Sequence, residues 1–139
     1  MTPTDIYSQL RRDEGVRNFP YTDTAGKLTI GVGRNLTDVG LRGHEIEYLL
    51  KTDIQAIGST LSERFPWFEN LDEPRQGVLL NMAFNLGVNG LDKFPAFLNA
   101  CLHSNWEVAA DEMRESEWAR QVGDRAVRLS SQMRTGVWV

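Results

Sequence analysis

Only one stretch of this chain, Leu28-Thr29-Ile30-Gly31-Val32, alternates its side chains as a strand does. A hairpin or three short strands around it is the most the sequence offers, and so small a sheet does not stabilise itself. The fold class must therefore be α+β and mostly α. From about Gly43 to Leu61, the residues Ile46, Leu49, Leu50, Ile54, Ile57 and Leu61 recur at three- and four-residue steps. That spacing predicts an amphipathic helix roughly 28 Å long at 1.5 Å per residue. The stretch "TPTDIYSQLRRDEG" reads as a first helix, with Thr2 as N-cap, Pro3 in the first turn and Gly15 as the stop. "RQGVLLNMAFNLG" is nearly all apolar and should be the most buried helix, capped by Asp72, opened by Pro74 and ended by Gly87. Short helices are expected around Phe94–Leu102, Trp106–Met113 and Asp124–Met133.

The 139 residues suit one domain, 1–139, able to bury a core without disulfides. Cys101 is the only cysteine and lies in an apolar stretch, which suits a buried small hydrophobe. With only His44 and His103 beside it, no metal motif forms and no cofactor is implied. A net charge of −4 argues against nucleic acid as a partner. No apolar run is long enough to span a membrane, and the first residues lack a signal-peptide pattern. Nothing suggests more than a monomer. Arg120, Arg125, Arg128 and Arg134 crowd the last part of the chain. They read as a solvated face or as partners for carboxylates elsewhere.

The densest chemistry is in "DEGVRNFPYTDTAGKLTIGVGR", residues 13–34, where Glu14 ends the first helix and Asp23 opens a turn. Hydrolysis of a glycosidic bond commonly uses two carboxyl groups, one to protonate the leaving oxygen and one to activate water or support the cation. Unpaired carbonyls at a helix C-terminus and the neighbouring Asp13 both disfavour negative charge on Glu14, as an acid requires. Asp23, on a polar turn, is expected to stay ionised. Each residue also has a plain explanation. A Glu before a helix-ending Gly is usually a solvated charge, an Asp in "DTAG" serves turn geometry, and a Thr suits a strand. The "GVGR" at the end of the stretch is a weak phosphate loop. Spacing alone leaves both readings open.

The same stretch resembles the signature of the phage-type lysozymes, the T-even-phage muramidases of glycoside hydrolase family 24. "NMAFNLGVNGLDKF", residues 81–94, is similar to the family's central buried helix and the turn after it. "WEVAADEM", "SEWARQVGDRAVR" and "RTGVW" come next in the family's order, so the likeness covers nearly the whole chain. The resemblance implies a lysozyme-like fold: a small β lobe (about 15–36), a connecting helix (43–61), and a helical lobe made of 62–139 with 1–14. It implies Glu14 as general acid, Asp23 as second carboxylate and Thr29 as the residue that holds the attacking water. Asn35, Phe84 and Asn85 match positions that face the sugar, and Arg125 matches an arginine near the acid. Arg128 matches one that pairs with Asp13.

The resemblance also implies an endo-acting peptidoglycan hydrolase. It cuts the β-1,4 bond between N-acetylmuramic acid and N-acetylglucosamine with inversion, in bacterial lysis by a phage or prophage. Without a signal peptide it would wait in the host cytoplasm, with no stable membrane insertion, until a holin opens the way to the wall. The rival readings are a lytic transglycosylase and a catalytically silent wall-binding module of the same fold. Three departures stand out. The segment "NLTDVGLRG" between Arg34 and the long helix is short, so the β lobe should be minimal. Arg34 occupies a position where the best-known members carry His, and an Arg34–Asp53 ion pair is expected to replace the usual His–Asp pair. The chain is also acidic where familiar members are basic, so binding should lean less on long-range attraction to an anionic wall.

Overall fold

The computed structural model describes residues 2–139, which divide into two compact units at the Leu50–Lys51 bond. The first unit contains helix α1 (Ile6–Glu14) and strands β1 (Arg17–Thr22), β2 (Leu28–Gly31) and β3 (Arg34–Asn35). The strands form one antiparallel sheet in the order β1-β2-β3. Helix α1 starts later than expected. Its N-cap is Asp5, whose Oδ1 accepts the Ser8 N–H at 2.7 Å, so Thr2 and Pro3 precede the helix. A carboxylate at that site also meets the positive end of the helix, an advantage the Thr2 hydroxyl lacks. The Ser8 N–H accordingly holds the Asp5 carboxyl below its ordinary value. Gly15 ends the helix as expected, its N–H bonding the Arg11 carbonyl at 2.9 Å.

Pro20 lies inside β1, where the pairing with β2 slips between Arg17 and Tyr21. An irregular register tolerates the missing N–H. The turn after β1 closes through Gly26 N–H to Asp23 O at 3.0 Å and Asp23 N–H to Lys27 O at 2.9 Å.

Helix α2 runs Gly43–Arg64, so it is longer than the apolar pattern suggested, and it crosses the boundary between the units. Its stripe is covered only late in its course. Leu61 is fully buried and Ile57 packs on the core, whereas Ile46, Leu49, Leu50 and Ile54 are exposed. Among the described residues before Leu61, Thr29 alone is buried, so the first unit has no apolar layer to receive that half of the stripe.

The second unit adds α3 (Glu73–Leu86), α4 (Pro95–Leu102), α5 (Trp106–Arg114), α6 (Glu117–Val122) and α7 (Asp124–Thr135), with 3-10 turns at Pro66–Asn70 and Asn89–Lys93. Asp72 caps α3 by accepting the Arg75 N–H, and Gly87 ends it, as the sequence predicts. Val78, Leu79, Met82 and Ala83 of α3 are buried, with Phe97, Met113, Leu129 and Met133 in the same cluster. Helix α7 buries as much as α3, including the polar Ser130 and Gln132, each satisfied by a backbone carbonyl (Ala110 and Pro74). Arg75 ties α3 to the end of α7. It donates to the Met133 and Arg134 carbonyls at 2.7 and 3.0 Å while its guanidinium lies 4.1 Å over the Trp106 ring. Cys101 is buried as expected, and desolvation pushes its thiol up to about 12. No described helix is long and apolar enough to cross a membrane.

Candidate active site

The residues of the first motif fall within the first unit, on three adjoining elements. Glu14 is the last residue of α1. Its carboxyl lies directly against the α-carbon of Gly33, on the turn between β2 and β3. A side-chain carbon at Gly33 would stand 2.7 Å from Glu14 Oε2 and 3.1 Å from Cδ. Gly33 also has φ +65°, which side-chain-bearing residues rarely adopt. Contact and backbone both demand glycine there. Gly33 is not among the sequence candidates, although the repeated glycines of "GVG" are its visible sign.

Asp23 and Thr29 converge on Lys27. Asp23 Oδ1 accepts the backbone N–H groups of Ala25 and Lys27 at 2.9 and 2.8 Å. Thr29, 3% exposed, donates its hydroxyl proton to the Lys27 carbonyl at 2.9 Å. Because β2 begins at Leu28, the turn that orients Asp23 and the strand that carries Thr29 meet at one residue, Lys27, through its N–H and its carbonyl. The turn explanation for Asp23 is thus correct as local structure, and it fixes the carboxylate's direction at the same time.

The other sequence candidates are divided between the units. Asn35 pairs with Thr29 across β2–β3, and its side chain exchanges two bonds with Asp38, Nδ2 to Oδ2 at 3.0 Å and Asp38 N–H to Oδ1 at 2.9 Å. Asp13 is ion-paired with its neighbour Arg12 at 2.9 Å. On the second unit, Phe84 is exposed and Asn85 accepts the Trp118 indole N–H at 2.9 Å, which leaves its amide N–H groups for another partner. Arg125 donates Nε and Nη2 to Asn81 Oδ1 at 2.9 and 2.6 Å. Arg128 lines a small cavity with Arg125, Gly77 and Trp138. Arg120 pairs with Glu117, and Arg134 with Glu107 and Asp111, so these two arginines form ordinary surface pairs. A concavity of about 610 Å³ on the second unit, lined by Phe94, Phe97, Glu112, Glu117 and Trp118, contains none of the catalytic candidates.

Arg34 corrects the expectation most clearly. Its partner is Glu45, in the first turn of α2, and not Asp53 two turns further on. Arg34 Nη2 lies 2.6 Å from Glu45 Oε2 and Nη1 lies 2.7 Å from Oε1, a two-pronged ion pair. Bonds from Arg34 and from the Arg42 N–H lower the Glu45 carboxyl from 4.5 to about 2, and the same pairing raises Arg34. The loop 36–42 brings the start of α2 back to β3, a closure the linear sequence does not display.

The family model described as phage lysozyme matches residues 11–134 of this chain. The pre-baseplate central spike protein Gp5 of Enterobacteria phage T4 is 33% identical over 168 residues. That match takes in 96% of this chain but 29% of the spike protein, so the chain spans less than a third of that relative. Two Dictyostelium discoideum proteins, probable T4-type lysozymes 1 and 2, are 28% and 26% identical over 96% of this chain and 95% of their own lengths. With the matched region running from before Glu14 to beyond Arg128, the chain belongs to the phage lysozyme family and is a peptidoglycan-hydrolysing muramidase of the glycoside hydrolases.

Proposed function

We propose that the chain cleaves the β-1,4 bond between N-acetylmuramic acid and N-acetylglucosamine with inversion, Glu14 acting as general acid and Asp23 as base. The observation that carries this reading is the fixed placement of two carboxylates in the first unit, one at the end of α1 and one on the turn before β2. Glu14 rests at the C-terminus of α1, its carboxyl seated against the Gly33 backbone. Asp23 accepts two backbone N–H groups, which fix the direction of its carboxylate. Both of those bonds end on Oδ1, so Oδ2 is the oxygen assigned to the water's proton. Thr29 has committed its own proton to the Lys27 carbonyl and therefore offers the water only lone pairs. It orients the water as an acceptor beside Asp23. Protonation of the glycosidic oxygen by Glu14 releases one sugar, while the water deprotonated by Asp23 attacks the opposite face of the other.

Asn35, Phe84 and Asn85 are assigned to sugar contacts, and Arg125, Arg128 and Asp13 to the support of the acid. These assignments rest on the family likeness. The biological setting that suits a phage lysozyme is host lysis by a monomer that reaches the wall after a holin acts.

The test is cell-wall clearing by wild type and Glu14→Gln. A general acid contributes about 10²- to 10⁴-fold, and clearing should fall by that factor. Equal clearing would remove Glu14 from its role. Product analysis sharpens the chemistry: inversion gives the α-anomer at the new reducing end, seen by proton NMR, whereas anhydro ends in the mass spectrum would establish a transglycosylase.

A further inference from the structure

The reading of Glu14 as the acid leaves open what keeps its carboxyl in place. The Gly33 backbone against which it rests belongs to a turn leading into a strand of only two residues, Arg34 and Asn35. Two cross-strand pairs, Thr29 with Asn35 and Ile30 with Arg34, are a weak ladder for a position that must hold to a fraction of an ångström. Arg34 and Asn35 are both part-exposed, so burial adds little to the hold on this strand.

The missing restraint lies on α2. Glu45 meets Arg34 with both carboxylate oxygens, and its Oε1 also accepts the backbone N–H of Arg42 at 2.7 Å. That second bond is the reach-back of a capping box: a glutamate in the first turn satisfies the N–H of the residue before the helix. The Ile46 N–H, bonded to the Arg42 carbonyl at 3.0 Å, fixes the same end from the other side. Arg34 Nη1 further donates to the Gly40 carbonyl at 3.3 Å. One carboxylate thus fastens the β3 strand and the loop behind it to the first turn of a 22-residue helix. Two parallel charge-assisted bonds restrict rotation as well as distance, which a single-point lysine contact would not do.

We propose that Glu45 is a positioning residue for the catalytic acid, acting through Arg34 on the Gly33 backbone that seats the Glu14 carboxyl. The proposal rests on Glu14 being the acid. Glu45 touches neither sugar nor water. Its loss lets the β2–β3 turn drift, and with it the surface that holds Glu14 toward the glycosidic oxygen.

The experiment measures kcat and KM on soluble, uncrosslinked peptidoglycan strands, per folded molecule, for Arg34→Gln, Glu45→Gln and the double variant. Each single change should lower kcat by roughly 10- to 100-fold, the cost of a misplaced catalytic group, with KM within about twofold. The double variant should be no slower than either single one, because the two side chains act as a unit. Arg34→Lys, which keeps the charge but loses the fork, covers the case in which a Gln variant does not fold, and it should show the same kcat loss. In a Glu14→Gln background, Glu45→Gln should change the residual rate no further. Wild-type kcat per folded molecule in these variants would overturn the positioning role, as would additive losses. If Glu14→Gln itself clears walls like wild type, it is the reading of the acid that fails.

Discussion

Among the described residues, those up to Leu50 bury one side chain, Thr29, while those from Lys51 onward bury seventeen apolar side chains together with Ser130 and Gln132. The second unit is held by an apolar cluster in which Leu61, Leu79, Met82, Leu91 and Met133 are wholly enclosed. The first is held by directional contacts: the Asp5 cap, the Asp23 and Thr29 bonds to Lys27, the Arg34–Glu45 fork, and Gly33 under Glu14. The candidate acid and base lie in the unit with the least packing. A carboxyl group that must reach substrate cannot also be enclosed, so its geometry has to come from hydrogen bonds and backbone shape. The aromatic residues offer a way to observe the units separately. All four tryptophans (67, 106, 118 and 138) lie in the second unit and all three tyrosines (7, 21 and 48) in the first.

The largest effect should come from Leu79→Ala. Leu79 is fully buried in α3, and truncation there should cost about 2–5 kcal/mol of stability. Urea unfolding monitored by tryptophan fluorescence should show the loss, while activity per folded molecule stays near wild type. A loss under about 1 kcal/mol would mean that the cluster relaxes around the hole, and the contrast between the units would weaken.

Gly33→Ala should behave the other way round. The strained backbone should cost about 1–2 kcal/mol, felt mainly in the tyrosine absorbance of the first unit. Displacement of the Glu14 carboxyl should lower cleavage roughly 100-fold. Wild-type cleavage by Gly33→Ala would show that the acid does not depend on this seat.

The same division governs how much is legible in the sequence. Apolar periodicity locates α3, α4, α5 and α7 to within a few residues because each of them buries a face against the others. Helix α6 escapes that pattern because its six residues bury only Trp118, although Ser116 before it and Gly123 after it are readable as cap and stop. In the first unit periodicity has little to report. The start of α1 turns on which of two nearby cap residues wins, and the long α2 stripe gives no hint that Ile46 to Ile54 stay exposed. Glu14, Asp23 and Thr29 are individually ordinary, and family likeness singles them out. The partner of Arg34 is Glu45 where Asp53 was expected, because both acids lie on one helix and only the fold of loop 36–42 decides between them.

The smallest effect comes from acid. The Glu45 carboxyl is lowered from 4.5 to about 2 by its bonds to Arg34 and the Arg42 N–H, so it holds its proton less readily in the folded chain than in the unfolded one. A depressed carboxylate stabilises the fold fully above its unfolded value, and that contribution disappears as pH falls from about 4.5 through about 2. The pair is about one-quarter exposed on each side, so solvent screening keeps the contribution modest. Its location still makes it visible. Between pH 5 and pH 2.5 in low salt, the tyrosine-reported urea midpoint should fall more than the tryptophan-reported one. The difference should shrink in Glu45→Gln, which has no carboxylate to protonate. An equal fall in both signals, unchanged in Glu45→Gln, would mean that the apolar unit and the polar one unfold as a single block and that this tie carries no separate weight.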